Sequence, residues 1–132
     1  MLGALLTPAS TATAAPPLPP CTDVYGSLPT APKPDGGWTS DCKLYEIGKN
    51  ARASEGYKNA VRGLQRSLKY CNRQPQVTVD GWFGPQTRKA LIAVQKNTGA
   101  YVDGWYGPDT RKKMPRLLYV SYSGGKFYSI CT

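Results

Sequence analysis

An internal repeat is the feature that most limits how this chain can fold. Residues 79–91 read VDGWFGPQTRKAL and residues 102–114 read VDGWYGPDTRKKM, so nine of thirteen positions are identical at a period of 23 residues. Repeats of this length are typical of stacked supersecondary units, each of which buries its apolar face against a neighbour. The chain therefore builds the same short unit twice, and the two copies are expected to share one core.

Each copy predicts a tight turn followed by a helix. An Asp-Gly pair supplies the turn, because glycine readily adopts a positive φ and aspartate tolerates or caps a tight turn. A Gly-Pro pair then opens the helix, since proline suits the first helical position, and a threonine two residues later can reach back to the helix end. The residues predicted to hold the turns are Asp80, Gly81, Gly84, Pro85, Thr87, Asp103, Gly104, Gly107, Pro108 and Thr110.

Apolar residues at helical spacing predict three helices. The first covers about residues 55–70, the second covers about residues 85–97, and the third begins at Pro108 and ends or kinks at Pro115. The aromatic residues that follow each turn tryptophan, Phe83 and Tyr106, are predicted to be core residues. These patterns predict a mainly α fold, a compact three-helix bundle built from two helix-turn repeats.

Four cysteines predict two disulfides. Cys21, Cys42, Cys71 and Cys131 form an even set in a small chain, which is typical of a secreted protein. Three pairings are possible. We favour Cys21–Cys42 and Cys71–Cys131, because each bond would tie a weakly patterned flank to itself or to the core.

The chain is predicted to contain four segments. Residues 1–15 are apolar and Ala-rich and indicate a secretory signal peptide, with a disordered tail as the alternative. No basic residue precedes their apolar stretch, so we expect an internal start at Met1 and a truncated signal. Residues 16–54 predict an irregular, disulfide-tied Pro/Gly-rich arm, or else a flexible linker. Residues 55–118 form the bundle, and residues 119–132 predict a C-terminal β-hairpin or tail.

The order of these motifs resembles a known bacterial family. Leu64-Gln65 on the first helix, the turn DGWFGPQT, Val94-Gln95 on the second helix and the turn DGWYGPDT follow one another as in the three-helix, peptidoglycan binding-like domain. The resemblance covers about residues 56–118. It implies non-catalytic binding to cell-wall peptidoglycan, and the Cys-rich flanks also look like those of small exported actinobacterial proteins.

The repeats supply the groups that such a ligand would need. Peptidoglycan has sugar rings, which stack on aromatic faces, and peptide stems with free carboxylates, which pair with cations. Each group also has an interpretation that involves no ligand. The tryptophans would pack on the flanking segments, and Tyr106 would be a core residue. The arginines would form a solvated basic face. The ligand-binding candidates are Trp82, Trp105, Arg88, Arg111 and Tyr106.

The amino-acid composition excludes several classes of catalytic and metal site. The chain contains no His, which excludes Ser-His-Asp and Cys-His nucleophiles and His-ligated zinc. No metal or other cofactor and no membrane span are predicted, because the cysteines lack a C-x-x-C pair and the apolar runs are short. A small wall hydrolase using the carboxylates of Glu46 and Glu55 is the main rival.

Charge supplies a third hypothesis. The formal charge of +9 is compatible with a charge-driven binder of anionic polymers, although no nucleic-acid motif is present. We predict a secreted or wall-associated monomer that binds peptidoglycan, has no catalytic residues and has no nucleic-acid partner.

Overall fold

The computed structural model describes residues 17–132, which form three helices and two antiparallel sheets. The predicted signal peptide, residues 1–15, lies outside the described residues. Among residues 17–132, no helix is both long and apolar enough to cross a membrane. The elements in chain order are β1 (Asp23–Tyr25), β2 (Leu28–Pro32), β3 (Trp38–Thr39), α1 (Glu55–Cys71), α2 (Pro85–Thr98), α3 (Pro108–Lys113), β4 (Leu117–Ser123) and β5 (Lys126–Cys131).

The prediction of a mainly α three-helix bundle is wrong, because strands form a substantial second part of the fold. The third helix is short. It contains six residues and ends where Met114 adopts an extended backbone, as expected for a residue before Pro115, since a following proline disfavours the helical region. Of the three helices in residues 17–132, α1 and α2 are therefore the long ones, and two β-sheets form the rest of the regular secondary structure.

An N-terminal sheet takes the place of the predicted irregular arm. Strand β2 lies between β1 and β3 and is antiparallel to both, with Val24 opposite Pro29 and Ala31 opposite Thr39. The sheet packs on α1 at Gly63, where a Cβ atom would lie 3.0 Å from the carbonyl oxygen of Ser27. The absence of a side chain at this helical position lets the sheet approach the helix closely.

The two disulfides are those that the sequence favoured, and they fasten both flanks. Cys21–Cys42 joins the residues on either side of the N-terminal sheet, and Cys71–Cys131 joins the end of α1 to the end of β5. Strands β4 and β5 form an antiparallel hairpin whose turn contains Gly124 and Gly125, both at positive φ (58° and 80°). Such a glycine pair suits a tight two-residue hairpin turn.

The core lies between α1, α2 and the two repeated turns. Leu64 and Leu68 of α1, Leu91 of α2 and Phe83 of the first turn are all fully buried. Leu44, which precedes the helices, is also fully buried. The core therefore includes a residue from the N-terminal flank as well as residues from the repeat.

A buried glutamine holds the first repeated turn. Gln65 on α1 is fully buried, and its Oε1 accepts hydrogen bonds from the backbone N–H groups of Asp80 (3.0 Å) and Gly81 (2.9 Å). Its Nε2 donates to three nearby acceptors, Asp80 Oδ1 (2.9 Å), Trp82 O (2.9 Å) and Thr87 Oγ1 (3.1 Å). The amide therefore links α1 to both ends of the turn and satisfies its own polar atoms without water.

The second turn is held in the same way by Gln95 on α2. Its Oε1 accepts from the N–H groups of Asp103 (3.2 Å) and Gly104 (2.9 Å). Its Nε2 donates to Asp103 Oδ1 (3.0 Å), Trp105 O (2.9 Å) and Thr110 Oγ1 (3.0 Å). In the described structure, no side chain caps the start of α2 or α3. The threonine hydroxyls accept hydrogen bonds from the glutamine amides instead. We call each arrangement a glutamine clamp.

Replacing the buried amide by a carboxyl group tests the glutamine clamp. We expect Gln95→Glu to lower the free energy of unfolding by about 3 kcal/mol at pH 7, because a buried carboxylate cannot donate and faces the Asp103 carboxylate. Burial and this like charge raise the pKa of the introduced carboxyl above its unfolded value of about 4.3. The loss should therefore be smaller at pH 4 and grow as the pH rises.

Urea unfolding at the two pH values measures this effect. The matched control is Gln76→Glu, because Gln76 is exposed on the loop after α1. Equal losses in the two variants, or a Gln95→Glu loss that does not change with pH, would show that the clamp is unimportant.

Removing each disulfide tests how the flanks are stabilised. In the chain-entropy model, we expect loss of Cys71–Cys131, which spans 60 residues, to cost about 4 kcal/mol, and loss of Cys21–Cys42, which spans 21 residues, to cost about 3 kcal/mol. Paired Cys→Ala variants followed by urea unfolding would measure both. A cost below about 1 kcal/mol for either pair contradicts the expectation that its flank is held by the bond.

Candidate functional site

Residues 43–47 run between the two repeated turns and join them; we call them the bridging segment. The backbone of Leu44 forms two hydrogen bonds with that of Tyr106, N–H to O at 2.9 Å and O to N–H at 2.8 Å. The N–H of Ile47 donates to the carbonyl of Phe83 at 3.0 Å. Phe83 and Tyr106 are equivalent positions of the repeat, so one segment from the N-terminal flank binds both copies.

The two equivalent tryptophans have different surroundings. The ring of Trp82 lies over Gly84, and a Cβ atom added to Gly84 would lie 2.7 Å from that ring. The Trp82 Nε1 donates a hydrogen bond to the carbonyl of Ile47 at 3.2 Å. Trp105 is 47% exposed and stacks on the ring of Tyr45, with centroids 4.7 Å apart. Trp82 is thus used for packing on the bridging segment, whereas Trp105 keeps open surface.

Trp105 lines a groove of about 380 Å³, which we call the aromatic groove. Its volume is within the range of about 300–1,000 Å³ that is common for small-ligand sites. Tyr101, which is 76% exposed, and the buried ring of Tyr106 also line it. Lys43 contributes the positive charge, with its Nζ 5.8 Å from the ring centroids of both Tyr45 and Trp105. The groove therefore combines flat aromatic surface with one cation.

The two carboxylates of the groove are engaged in hydrogen bonds. Asp103 Oδ1 belongs to the second glutamine clamp and also accepts from the N–H of Trp105 at 2.8 Å. Asp109 accepts a hydrogen bond from the N–H of Tyr101 (2.9 Å) and pairs with Lys113 (2.9 Å). Both contacts lower the pKa of Asp109, and the hydrogen bond from Tyr101 has the larger effect. Both groups are suited to hold the turn, and Asp109 is poorly suited to deliver a proton.

The two candidate arginines lie apart from the aromatic groove. The Nε of Arg88 is 3.9 Å from Glu46 Oε1. The Arg88 side chain also packs against Gly104, because a Cβ atom added to Gly104 would lie 2.9 Å from the Arg88 Nε. Arg111 donates through Nη2 to Asp41 Oδ1 at 2.9 Å and lines a smaller, second pocket. Of the five candidate residues, the structure brings Trp105 and Tyr106 together at the aromatic groove, and Arg111 and Tyr106 together at the second pocket. Trp82 and Arg88 line neither of them.

The acidic residues of the rival hydrolase hypothesis are paired with arginines. Glu55 Oε1 is 3.1 Å from Nη1 of Arg62, and Glu46 is the partner of Arg88. Within the described part of the chain, neither glutamate lines the aromatic groove. Among the same residues, no group of three or more His, Cys, Asp or Glu side chains could hold a metal ion.

Three residues at this site were not predicted from the sequence, namely Lys43, Tyr45 and Tyr101. Tyr101 comes just before the second VDGW motif, where the first copy has Thr78, and this aromatic difference between the copies was a usable signal. Lys43 follows Cys42 directly, and Tyr45 lies two residues further along the chain. Their position beside the groove depends on pairing with Tyr106, which no local pattern indicates.

Comparison with known proteins supports the family resemblance. Residues 57–114 match the model of a family described as "Putative peptidoglycan binding domain". No curated protein and no solved structure gives a match. The matched range includes both glutamine clamps and Trp105, whereas the bridging segment lies outside it. Residues 57–114 are therefore similar to this family of peptidoglycan-binding domains.

Proposed function

We propose that this protein binds cell-wall peptidoglycan through the aromatic groove and catalyses no reaction on it. The observation that carries the proposal is the stack of Trp105 on Tyr45 with Lys43 beside both rings. Aromatic side chains offer flat apolar surface for the faces of sugar rings. A neighbouring ammonium group can pair with a carboxylate carried next to the sugar.

The chemistry of peptidoglycan fits this combination of groups. Its glycan strand presents sugar rings, and the stem peptides attached to the strand carry free carboxylates. In the proposed complex, a sugar ring lies on the open surface of Trp105, Tyr101 contacts the same sugar or its neighbour, and Lys43 faces a carboxylate. The formal charge of +9 attracts the protein to an anionic cell wall before these contacts form.

The absence of catalysis is supported by how the carboxylates are used. A glycosidase needs a pair of carboxyl groups flanking the scissile bond, one of which retains a proton at working pH. In the aromatic groove, the pKa of Asp109 is lowered by the hydrogen bond from Tyr101 and by Lys113, so this group stays ionised. Glu46 and Glu55 are paired with arginines at other places on the surface.

The proposed location is outside the cell or at the cell wall. Two disulfides fasten the flanks, and such bonds form and persist in oxidising, extracellular environments. We propose that the protein acts there as a monomer, with peptidoglycan as its partner.

Removing the exposed tryptophan of the groove tests the proposed site. We expect Trp105→Ala to weaken co-sedimentation with insoluble peptidoglycan about tenfold, equivalent to about 1.4 kcal/mol, because the stacking surface is lost. Trp38→Ala is the matched control: Trp38 is 52% exposed and stacks on Tyr25, but it lies in β3 and not in the matched domain. Its binding should equal that of the unaltered protein.

Salt distinguishes this proposal from the charge-driven alternative. Binding through the groove should persist in part at high salt, whereas binding by charge alone falls steeply with ionic strength. If Trp105→Ala binds as well as Trp38→Ala, and salt abolishes binding of both, the charge-driven hypothesis replaces ours.

A turbidity assay tests the claim that the protein is not a hydrolase. We expect suspensions of bacterial cell walls to keep their turbidity when the purified protein is added, because the carboxylates of Asp103 and Asp109 in the groove are engaged in hydrogen bonds that hold the turn. A lysozyme sample serves as the positive control. Clearing that is abolished by Glu46→Gln or Glu55→Gln would establish the carboxylate hydrolase instead.

A further inference from the structure

A second pocket shares Tyr106 with the aromatic groove. It has a volume of about 160 Å³ and lies where the N-terminal sheet, α1, α3 and the start of β4 meet. Its polar lining residues are Ser27, Ser67, Tyr106, Arg111, Lys112, Arg116 and Thr132. We call it the basic pocket. It is smaller than the pockets of about 300–1,000 Å³ that enclose drug-sized ligands, so it suits one small charged group.

Cationic side chains dominate the charged lining of the basic pocket. Three of its lining residues are cationic, and Arg111 alone pairs with an acidic side chain, Asp41 at 2.9 Å. In residues 17–132, no ion pair joins Lys112 or Arg116 to an acidic group. Clustered cations in a small concave site concentrate anions there.

Two hydrogen-bond donors belong to residues that line the basic pocket, Arg111 and Tyr106. The Nε of Arg111 is buried and has no hydrogen-bond partner among the described residues, although buried polar atoms nearly always have one. Burial raises the pKa of the Tyr106 hydroxyl, and the nearby Arg111 and Arg116 oppose that rise. The hydroxyl therefore keeps its proton, and Tyr106 lines the same pocket as both arginines.

We propose that the basic pocket binds a single oxyanion, a carboxylate or a phosphate, carried by a cell-wall polymer. A guanidinium group presents several N–H donors in a planar fork that matches the oxygens of such a group. A bound oxyanion would take the free Arg111 Nε–H and the Tyr106 O–H and would neutralise Arg116 and Lys112. The assignment to a wall polymer rests on the proposed function, whereas the anion site itself does not.

An NMR titration with simple anions tests the site. Sodium phosphate and sodium acetate are added separately to the full chain, with ionic strength held constant by sodium chloride. We expect saturable shifts of the backbone amides of Tyr106, Arg111 and Arg116. Arg116→Ala should weaken the binding at least fivefold, whereas Arg73→Ala, which removes an exposed arginine from the loop after α1, should leave it unchanged.

A second variant guards against indirect effects on folding. Tyr106→Phe keeps the buried ring and removes only the hydroxyl, so it should weaken anion binding while the urea midpoint stays the same. Saturation by phosphate alone supports a phosphodiester wall polymer as the source of the oxyanion, and saturation by acetate supports the peptide stems. Shifts that do not saturate, or that are equal in Arg116→Ala and Arg73→Ala, would overturn the proposal.

The same titration separates this inference from the proposed function. Trp105→Ala should co-sediment more weakly with peptidoglycan and keep its phosphate or acetate titration. If the unaltered protein titrates these anions and does not sediment with peptidoglycan, the anion site stands and the proposed function fails. If it sediments and shows no saturable anion binding, the anion site fails alone.

Discussion

Two buried glutamine amides are the interactions on which the rest of the site depends. Each amide accepts from two backbone N–H groups and donates to a carbonyl and a carboxylate of the same turn. Only a side chain with both an acceptor and donors can do this from the preceding helix, so glutamate cannot replace Gln65 or Gln95. Because the clamps fix the turn backbones, the aromatic residues that follow have defined positions in the core and at the surface.

The two copies of the repeat share a sequence motif but have different roles because of what packs on them. The bridging segment runs over the first copy, where Ile47 accepts a hydrogen bond from Trp82. At the second copy, the same segment places Tyr45 against Trp105 and leaves about half of that tryptophan exposed. A segment outside the matched residues 57–114 therefore decides which of the two tryptophans keeps exposed surface.

Local signals predicted much of the fold, and non-local pairings explain what was missed. Helices α1 and α2, the C-terminal hairpin and the disulfides follow from periodicity, Gly-Gly turn chemistry and cysteine count. The N-terminal sheet was missed because β2, with the sequence LPTAP, is buried at four successive positions and lacks the alternation of a half-buried strand. Trp105 and Tyr106 were identified from the repeat, whereas Lys43 and Tyr45 reach the site through pairing of Leu44 with the distant Tyr106.

We infer that the aromatic groove, and not the matching face of the first repeat, contacts peptidoglycan. The chain has three tryptophans, so a ¹⁵N-labelled sample gives three indole N–H signals, which substitutions assign to Trp38, Trp82 and Trp105. Soluble peptidoglycan fragments should shift the Trp105 signal in a saturable way and leave the Trp38 and Trp82 signals in place. A shift of the Trp82 signal with the Trp105 signal unchanged, or no shift of any of the three, would contradict the account.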